Sequence, residues 1–370
     1  MNNVSCTNCR LAYPDTGTPY RCPRCGGMYD FTGPTRYDPG KVDPGQPGIW
    51  RYQHAFGLPE GAPVISLGEG NTPLVWGQGY GMRLAFKCEF QNPSGSFKDR
   101  GSTTLVSFVR SRGVETAVED SSGNAGASFS AYAARAGLKA RVFIPESASG
   151  PKRQQIEAYG AEVIPIAGPR SNAAEAVRRE ADGGVAYASH AYLPFNLPGY
   201  ATAAYEIVEQ LGGAPGSVLM PAGQGGFLLG MLRGFEALQA VGRIDKFPVL
   251  VGVQARACAP LWALSSYGAA GLGWVSEGQT VAEGIRVSFP LRGDAILQSL
   301  SAHQGMMLAV GEEEILPGQA ALARLGLYVE PTSAVVWPAL GQVAGEIPEP
   351  VVLVLTGSGM KYLKGTDAPK

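Results

Sequence analysis

Lys98 sits in the run Asn92-Pro93-Ser94-Gly95-Ser96-Phe97-Lys98-Asp99-Arg100-Gly101. A lysine amine becomes a useful nucleophile when it is held beside an electrophile and kept partly unprotonated. Pro, Ser and Gly residues before it form a tight turn, and the pattern predicts a helix over 101–110. The amine is therefore expected at a loop–helix junction, where backbone dipoles converge and a bound carbonyl could be attacked. The plainer reading is a surface Lys-Asp-Arg trio at a helix start, with Asp99 favoured by the helix dipole.

Four of the six cysteines form a second constellation. Cys6-x2-Cys9 and Cys22-x2-Cys25 are knuckles separated by twelve residues, with Gly26-Gly27 to turn the chain after the second. Four thiolates at this spacing can converge tetrahedrally on Zn2+ and leave no open position, which makes such a site structural. Two disulfides are the competing reading, disfavoured by the reducing compartment expected below. Cys88 and Cys258 have no such company and read as core or ordinary pocket-wall residues.

Three further loops carry polar groups. Ala222-Gly223-Gln224-Gly225-Gly226-Phe227 opens a helix predicted over 228–239, and small residues there let backbone N–H groups face one concavity, which favours a phosphate. Steric need alone also puts glycine in strand–helix turns. Ser121-Ser122-Gly123-Asn124 precedes an Ala-rich helix and could be only an N-cap, while Thr356-Gly357-Ser358-Gly359 could be a plain turn.

These loops follow short apolar runs. Residues 83–88, 116–120, 140–145, 161–166, 217–221, 249–253 and 351–355 read as strands alternating with helices, the pattern of buried, mostly parallel sheets. Ligands of such sheets bind beyond the strand C-termini, where the polar loops lie. The Pro/Gly-rich stretch 32–48 reads as a linker or arm. With 16% charged residues and a net charge of −1, the chain offers no electrostatic case for nucleic acid or an anionic membrane. No apolar run reaches transmembrane length and the first residues lack signal-peptide character, so a cytoplasmic location is expected.

A lysine, a phosphate nest, a Ser/Asn loop and a strand-end hydroxyl are the parts that pyridoxal 5′-phosphate (PLP) requires for its aldehyde, phosphate, ring hydroxyl and ring nitrogen. Gly70-Asn71-Thr72-Pro73-Leu74, the lysine run, Ser121–Asn124, Gly223–Gly226 and Glu330-Pro331-Thr332-Ser333-Ala334 stand in the order seen in fold-type II PLP enzymes. The chain resembles these enzymes over nearly its whole length, and its lysine run and cysteine segment most resemble the threonine synthase family. The resemblance implies an α/β, two-domain, tryptophan synthase β-like fold with an N-terminal zinc ribbon. The expected segments are a ribbon at 1–30, an arm at 31–65, a large PLP-binding domain at 66–100 and 191–370, and a small domain at 101–190. Lys98 would be the Schiff-base lysine, and Asn124 would bond the ring 3′-hydroxyl. Gly223, Gln224, Gly225 and Gly226 would hold the phosphate, and Thr356 would meet the ring nitrogen. Ser121, Ser122 and Ala125 would bind the carboxylate of a small amino-acid substrate, while Asp99 and Arg100 hold the lysine turn. Cys6, Cys9, Cys22 and Cys25 would bind zinc, and a homodimer is the family expectation.

The family's reaction eliminates phosphate from O-phospho-L-homoserine and adds water at Cβ to give L-threonine. Its members read Asn-Pro-Tyr/Phe-Arg-x-Glu-Gly-Gln-Lys-Thr where this chain has Leu193-Pro194-Phe195-Asn196-Leu197-Pro198-Gly199-Tyr200-Ala201-Thr202. The phosphate-gripping arginine is Asn196 and the lysine is Ala201. Losing one charged clamp costs about two to three powers of ten in rate. Ser358 stands where the family often has histidine, and Gln224 where it often has asparagine. His190 lies in a segment where dehydratase-type relatives carry a histidine; a pocket-lining or packing role is its plainer reading. Three functions remain open: a threonine synthase with Arg153, Arg256 or Arg286 supplying the cation; a β-eliminating ammonia-lyase or β-replacing enzyme; and a non-catalytic PLP-binding or zinc-mediated partner module.

Overall fold

The apolar runs form strands in a computed structural model that describes residues 3–362. The outer ends of the first and last expected segments, residues 1–2 and 363–370, lie outside the described residues. In chain order the strands are β1 (Val4–Cys6), β2 (Tyr29–Phe31), β3 (Leu74–Gly79), β4 (Met82–Lys87), β5 (Thr116–Glu119), β6 (Lys139–Pro145), β7 (Glu162–Ile166), β8 (Ala186–Tyr187), β9 (Ser217–Pro221), β10 (Val249–Ala255), β11 (Met306–Val310) and β12 (Val351–Val354). All seven expected strands are present, most with ends moved by a residue or two. The helices that matter for the site are α1 (Lys98–Ser111), α2 (Asn124–Arg135), α3 (Pro151–Ala158), α4 (Arg170–Asp182), α5 (Leu197–Leu211) and α6 (Gly226–Ala240).

The chain divides into two compact units. The first holds residues up to 70 and 98–199; the second holds 71–97 and 200–362. A four-stranded parallel sheet, order β7-β6-β5-β8, organises the first unit. Its strands feed α2, α3 and α4, as right-handed crossovers between parallel strands require. The β1–β2 hairpin belongs to the same unit and packs through aromatic rings. Tyr13 lies edge-on to Phe195 at 5.2 Å, and Phe195 stacks on Phe108 at 3.5 Å.

A six-stranded sheet, order β11-β10-β9-β12-β4-β3, organises the second unit. It is parallel except for the β3–β4 hairpin, whose register pairs Gly79 with Met82. The two turn residues, Tyr80 (φ 53°) and Gly81 (φ 75°), are both left-handed, which matches the strand twist in a two-residue hairpin. Within the 32–48 stretch, Asp38 caps a short 3-10 turn by accepting from Gly40 N at 3.0 Å. Among the described residues, no helix is long and apolar enough to cross a membrane.

Candidate active site and four-thiol cluster

In the first unit, Lys98 opens α1 and is half-buried, whereas Asp99 and Arg100 are fully buried. A surface trio is therefore ruled out. Ser128 of α2 donates to Asp99 Oδ1 at 2.6 Å and lies 2.7 Å from the Ser102 hydroxyl, so the start of α1 is bolted to α2. Asn124 is the first residue of α2, and Gly123 occupies its cap position without a side-chain cap bond. The Ser121 hydroxyl instead accepts from Gly123 N at 3.2 Å. The loop is thus held by a side chain within it rather than by one capping the helix, and the simple N-cap reading does not hold.

Strands β5 and β8 are parallel neighbours, so the loops beyond their C-termini emerge side by side. One carries Ser121, Ser122, Asn124 and Ala125; the other carries His190 and Asn196. Glu119 joins them. Its Oε2 accepts from Ser121 N, and its Oε1 lies 2.6 Å from His190 Nδ1. The carbonyl of His190 in turn accepts from Asn196 Nδ2 at 2.6 Å. A carbonyl can only accept, which fixes the amide orientation and leaves Asn196 Oδ1 as an acceptor. That oxygen is buried and has no hydrogen-bond partner among the described residues. Alongside, Tyr187 donates to Asp120 Oδ1 at 2.8 Å.

Burial pushes the Glu119 carboxyl up to about 7, opposed by Ser121 N–H and by the charges of Arg170 and Lys98. Burial and then the neighbouring Glu119 raise Asp120 as well. His190 is held well below the usual imidazole range by burial and then by the Lys98 charge. A neutral imidazole facing a carboxylate places its proton on Nδ1 and leaves Nε2 as the free lone pair.

In the second unit, β9 and β12 are parallel neighbours, so the glycine loop and Thr356 also emerge side by side. Gly225 is left-handed (φ 74°) and caps the fifteen-residue helix α6. A Cβ at Gly223 would lie 2.9 Å from Ile285 Cα, so that position also demands glycine. The Gln224 side chain accepts from Leu291 N at 3.2 Å. Thr356 is 2% exposed, and its hydroxyl lies 2.9 Å from Ser333 Oγ, which accepts from Gly357 N at 2.7 Å. Phe97 N donates to Thr356 O at 3.0 Å, and Lys98 is the next residue along the chain.

The family described as pyridoxal-phosphate dependent enzyme matches residues 65–357. Threonine synthase of Methanocaldococcus jannaschii is 33% identical over 374 residues, covering 96% of this chain and 92% of the relative. This chain belongs to the threonine synthase family of PLP-dependent enzymes. Threonine synthase of Methanosarcina acetivorans is 31% identical, with 98% and 92% covered. Among solved structures, the T.th. threonine deaminase is 27% identical with a TM-score of 0.64, covering 79% of this chain and 94% of that one. The O-acetylserine dependent cystathionine beta-synthase from Helicobacter pylori is 26% identical with a TM-score of 0.66, covering 82% and 96%.

Membership in this PLP family agrees with the chemistry of the residues. The glycine turn stands at the start of α6, where first-turn N–H groups lack intrahelical acceptors, the feature a phosphate can bind. Lys98 supplies an amine, and Thr356 a neutral hydroxyl. Of the three arginines expected to replace the family's clamp, each has local partners. Arg153 pairs with Glu157 at 3.0 Å and donates to Ala148 O. Arg256 donates to Ala309 O, and Arg286 to Gln279 and to Glu277 O. Ser358 caps the last 3-10 turn through Met360 N.

Residue type and spacing do not single out Glu119, and they give His190 a pocket-lining or packing role. The usable signal is Glu119-Asp120, an acid at the buried end of a strand with a second just beyond it, where charge is seldom placed. The cysteines meet the expectation closely. All four sulfurs lie within 4.8 Å of one another, with Cys6–Cys25 and Cys9–Cys22 each at 3.5 Å. A tetrahedron with Zn–S bonds of about 2.3 Å separates its sulfurs by about 3.8 Å. Gly27 has to be glycine, because a Cβ there would sit 2.9 Å from Cys6 Sγ. The donor set and its spacing fit zinc.

Proposed function

We propose that the protein is a threonine synthase, converting O-phospho-L-homoserine and water into L-threonine and phosphate. The near full-length similarity to threonine synthases carries this reading. When bound, PLP supplies an electron sink for negative charge developing on the substrate carbons. Lys98 Nζ would hold the cofactor and, once displaced by substrate, move protons at Cα and Cβ. Asn124 would orient the ring through its 3′-hydroxyl, and the N–H groups of Gly223, Gln224, Gly225 and Gly226 would fix the phosphate. Thr356, a neutral hydroxyl, would face the ring nitrogen without enforcing its protonation. Ser121, Ser122 and the Ala125 backbone would take the substrate carboxylate, and Asn196 would border the substrate side chain.

One observation favours a second reading, β-elimination or β-replacement on another small amino acid. Asn196 presents a buried acceptor where the family places an arginine, and an acceptor repels a phosphate dianion. Product analysis separates the two. Equal amounts of phosphate and threonine from O-phospho-L-homoserine support the synthase. No phosphate, with ammonia and a keto acid from serine or threonine, replaces it by the second reading.

Zinc in the four-thiol cluster is proposed as a structural ion. Metal analysis should give about one zinc per chain, falling sharply in Cys22→Ser. Metal-free wild-type protein would mean that the four thiols do not hold zinc.

A further inference from the structure

The loops after β5 and β8 are separate in sequence, yet one carboxylate spans them. Glu119 accepts from Ser121 N on one side and meets His190 Nδ1 at 2.6 Å on the other. His190 O then takes the Asn196 amide at 2.6 Å. Glu119 is 1% exposed and the His190 side chain 16% exposed, so water contributes little to holding this thread. We propose that Glu119 and His190 are a positioning pair: they set the Ser121 loop and Asn196 as one unit, and the Glu119 charge stabilises the protonated state of the Lys98 nitrogen. This rests on membership in the PLP family and on the role given to Lys98, and is independent of which amino acid is the substrate.

Charged and titratable groups reach the pair from several elements. Lys98 from α1, Arg170 from α4, Asp120 beside Glu119, and Tyr187 from β8 through its bond to Asp120 all act on it. Two of these, Lys98 and Arg170, are cations, and both act on each member of the pair. With His190 neutral, the pair carries one negative charge above the Glu119 titration, which favours a proton on the lysine nitrogen. Removing that charge lowers the pH at which the nitrogen loses its proton.

Glu119→Gln separates charge from shape. A glutamine oxygen can still accept from Ser121 N, and its amide can donate to Nδ1 once the imidazole proton moves to Nε2. The variant therefore keeps both bonds and loses only the charge. The test is a pH titration of the visible absorbance of PLP-loaded wild type and E119Q, without amino acid. The expected result is a midpoint lower by about one pH unit in E119Q, with kcat/KM reduced about tenfold and melting behaviour retained. An unchanged midpoint in folded E119Q overturns the charge role. Because no substrate is present, this outcome is separate from whether O-phospho-L-homoserine turns over. His190→Gln provides the companion measurement: a raised KM with little change in kcat supports the loop-setting role, and unchanged KM overturns it.

Discussion

The chemistry-bearing loops of the two units are made from opposite materials. In the first unit the strand ends carry ionisable side chains: Glu119 and His190, bonded into one thread with Ser121 and Asn196, and Asp120, bonded to Tyr187. In the second, the strand ends carry backbone and neutral hydroxyls: the glycine turn after β9, and Thr356 bonded to Ser333. A glycine cradle works by leaving out side chains, so its failure mode is steric. A buried carboxylate network works by charge, so its failure mode is protonation. The same open-sheet rule, polar loops beyond strand C-termini, is thus met in one unit by geometry and in the other by electrostatics.

The largest test of this contrast is Lys98→Ala. Removing the amine should abolish the visible absorbance of the PLP-loaded protein and lower turnover by about 10²–10⁴-fold or more. A band that survives would mean another lysine carries the cofactor. Next is Gly225→Ala in the second unit. Holding an alanine at φ 74° costs about 1–2 kcal/mol, and the turn must open to relieve it. PLP affinity measured by equilibrium dialysis should fall about tenfold, with no shift in pH behaviour; unchanged affinity would show that the cradle is not steric.

The smallest effect should come from pH. The folded Glu119 carboxyl is raised to about 7 by burial, above its unfolded value. Its contribution to stability is therefore complete below the unfolded pKa and fades as pH rises through about 7. Thermal melting across pH 5 to 8 should show wild type losing a few degrees relative to Glu119→Gln. Parallel curves would mean that the carboxyl titrates alike in both states.

How far the sequence reveals all this follows the same divide. The cradle, the lysine run and the cysteine knuckles are local, so residue type and spacing expose them directly. Seven strands were legible because continuous β-branched runs mark sheets buried on both faces. Strand β3, Leu-Val-Trp-Gly-Gln-Gly, was not: an edge strand with two glycines lacks that signature. Strand β8 is two residues long, and β1 and β2 three each, too short for any period. The Glu119–His190 pair spans 71 positions, and only the parallel pairing of β5 with β8 brings it together.

Asn196 carries a lesson for redesign. It is 1% exposed, clasped by the His190 carbonyl, and preceded by Phe195, which is wedged between Phe108 and the ribbon's Tyr13. Three positions on, Gly199 presses so closely on the Arg100 carbonyl that a Cβ would lie 1.9 Å from it. Arginine cannot be written back at 196 by a single codon change without displacing what surrounds it. Under the role proposed for Asn196, a mutant library seeking phosphate-bearing substrates has to vary Tyr13, Phe108 and Phe195 along with residue 196, which would make the cysteine ribbon part of the selectable sequence for substrate choice.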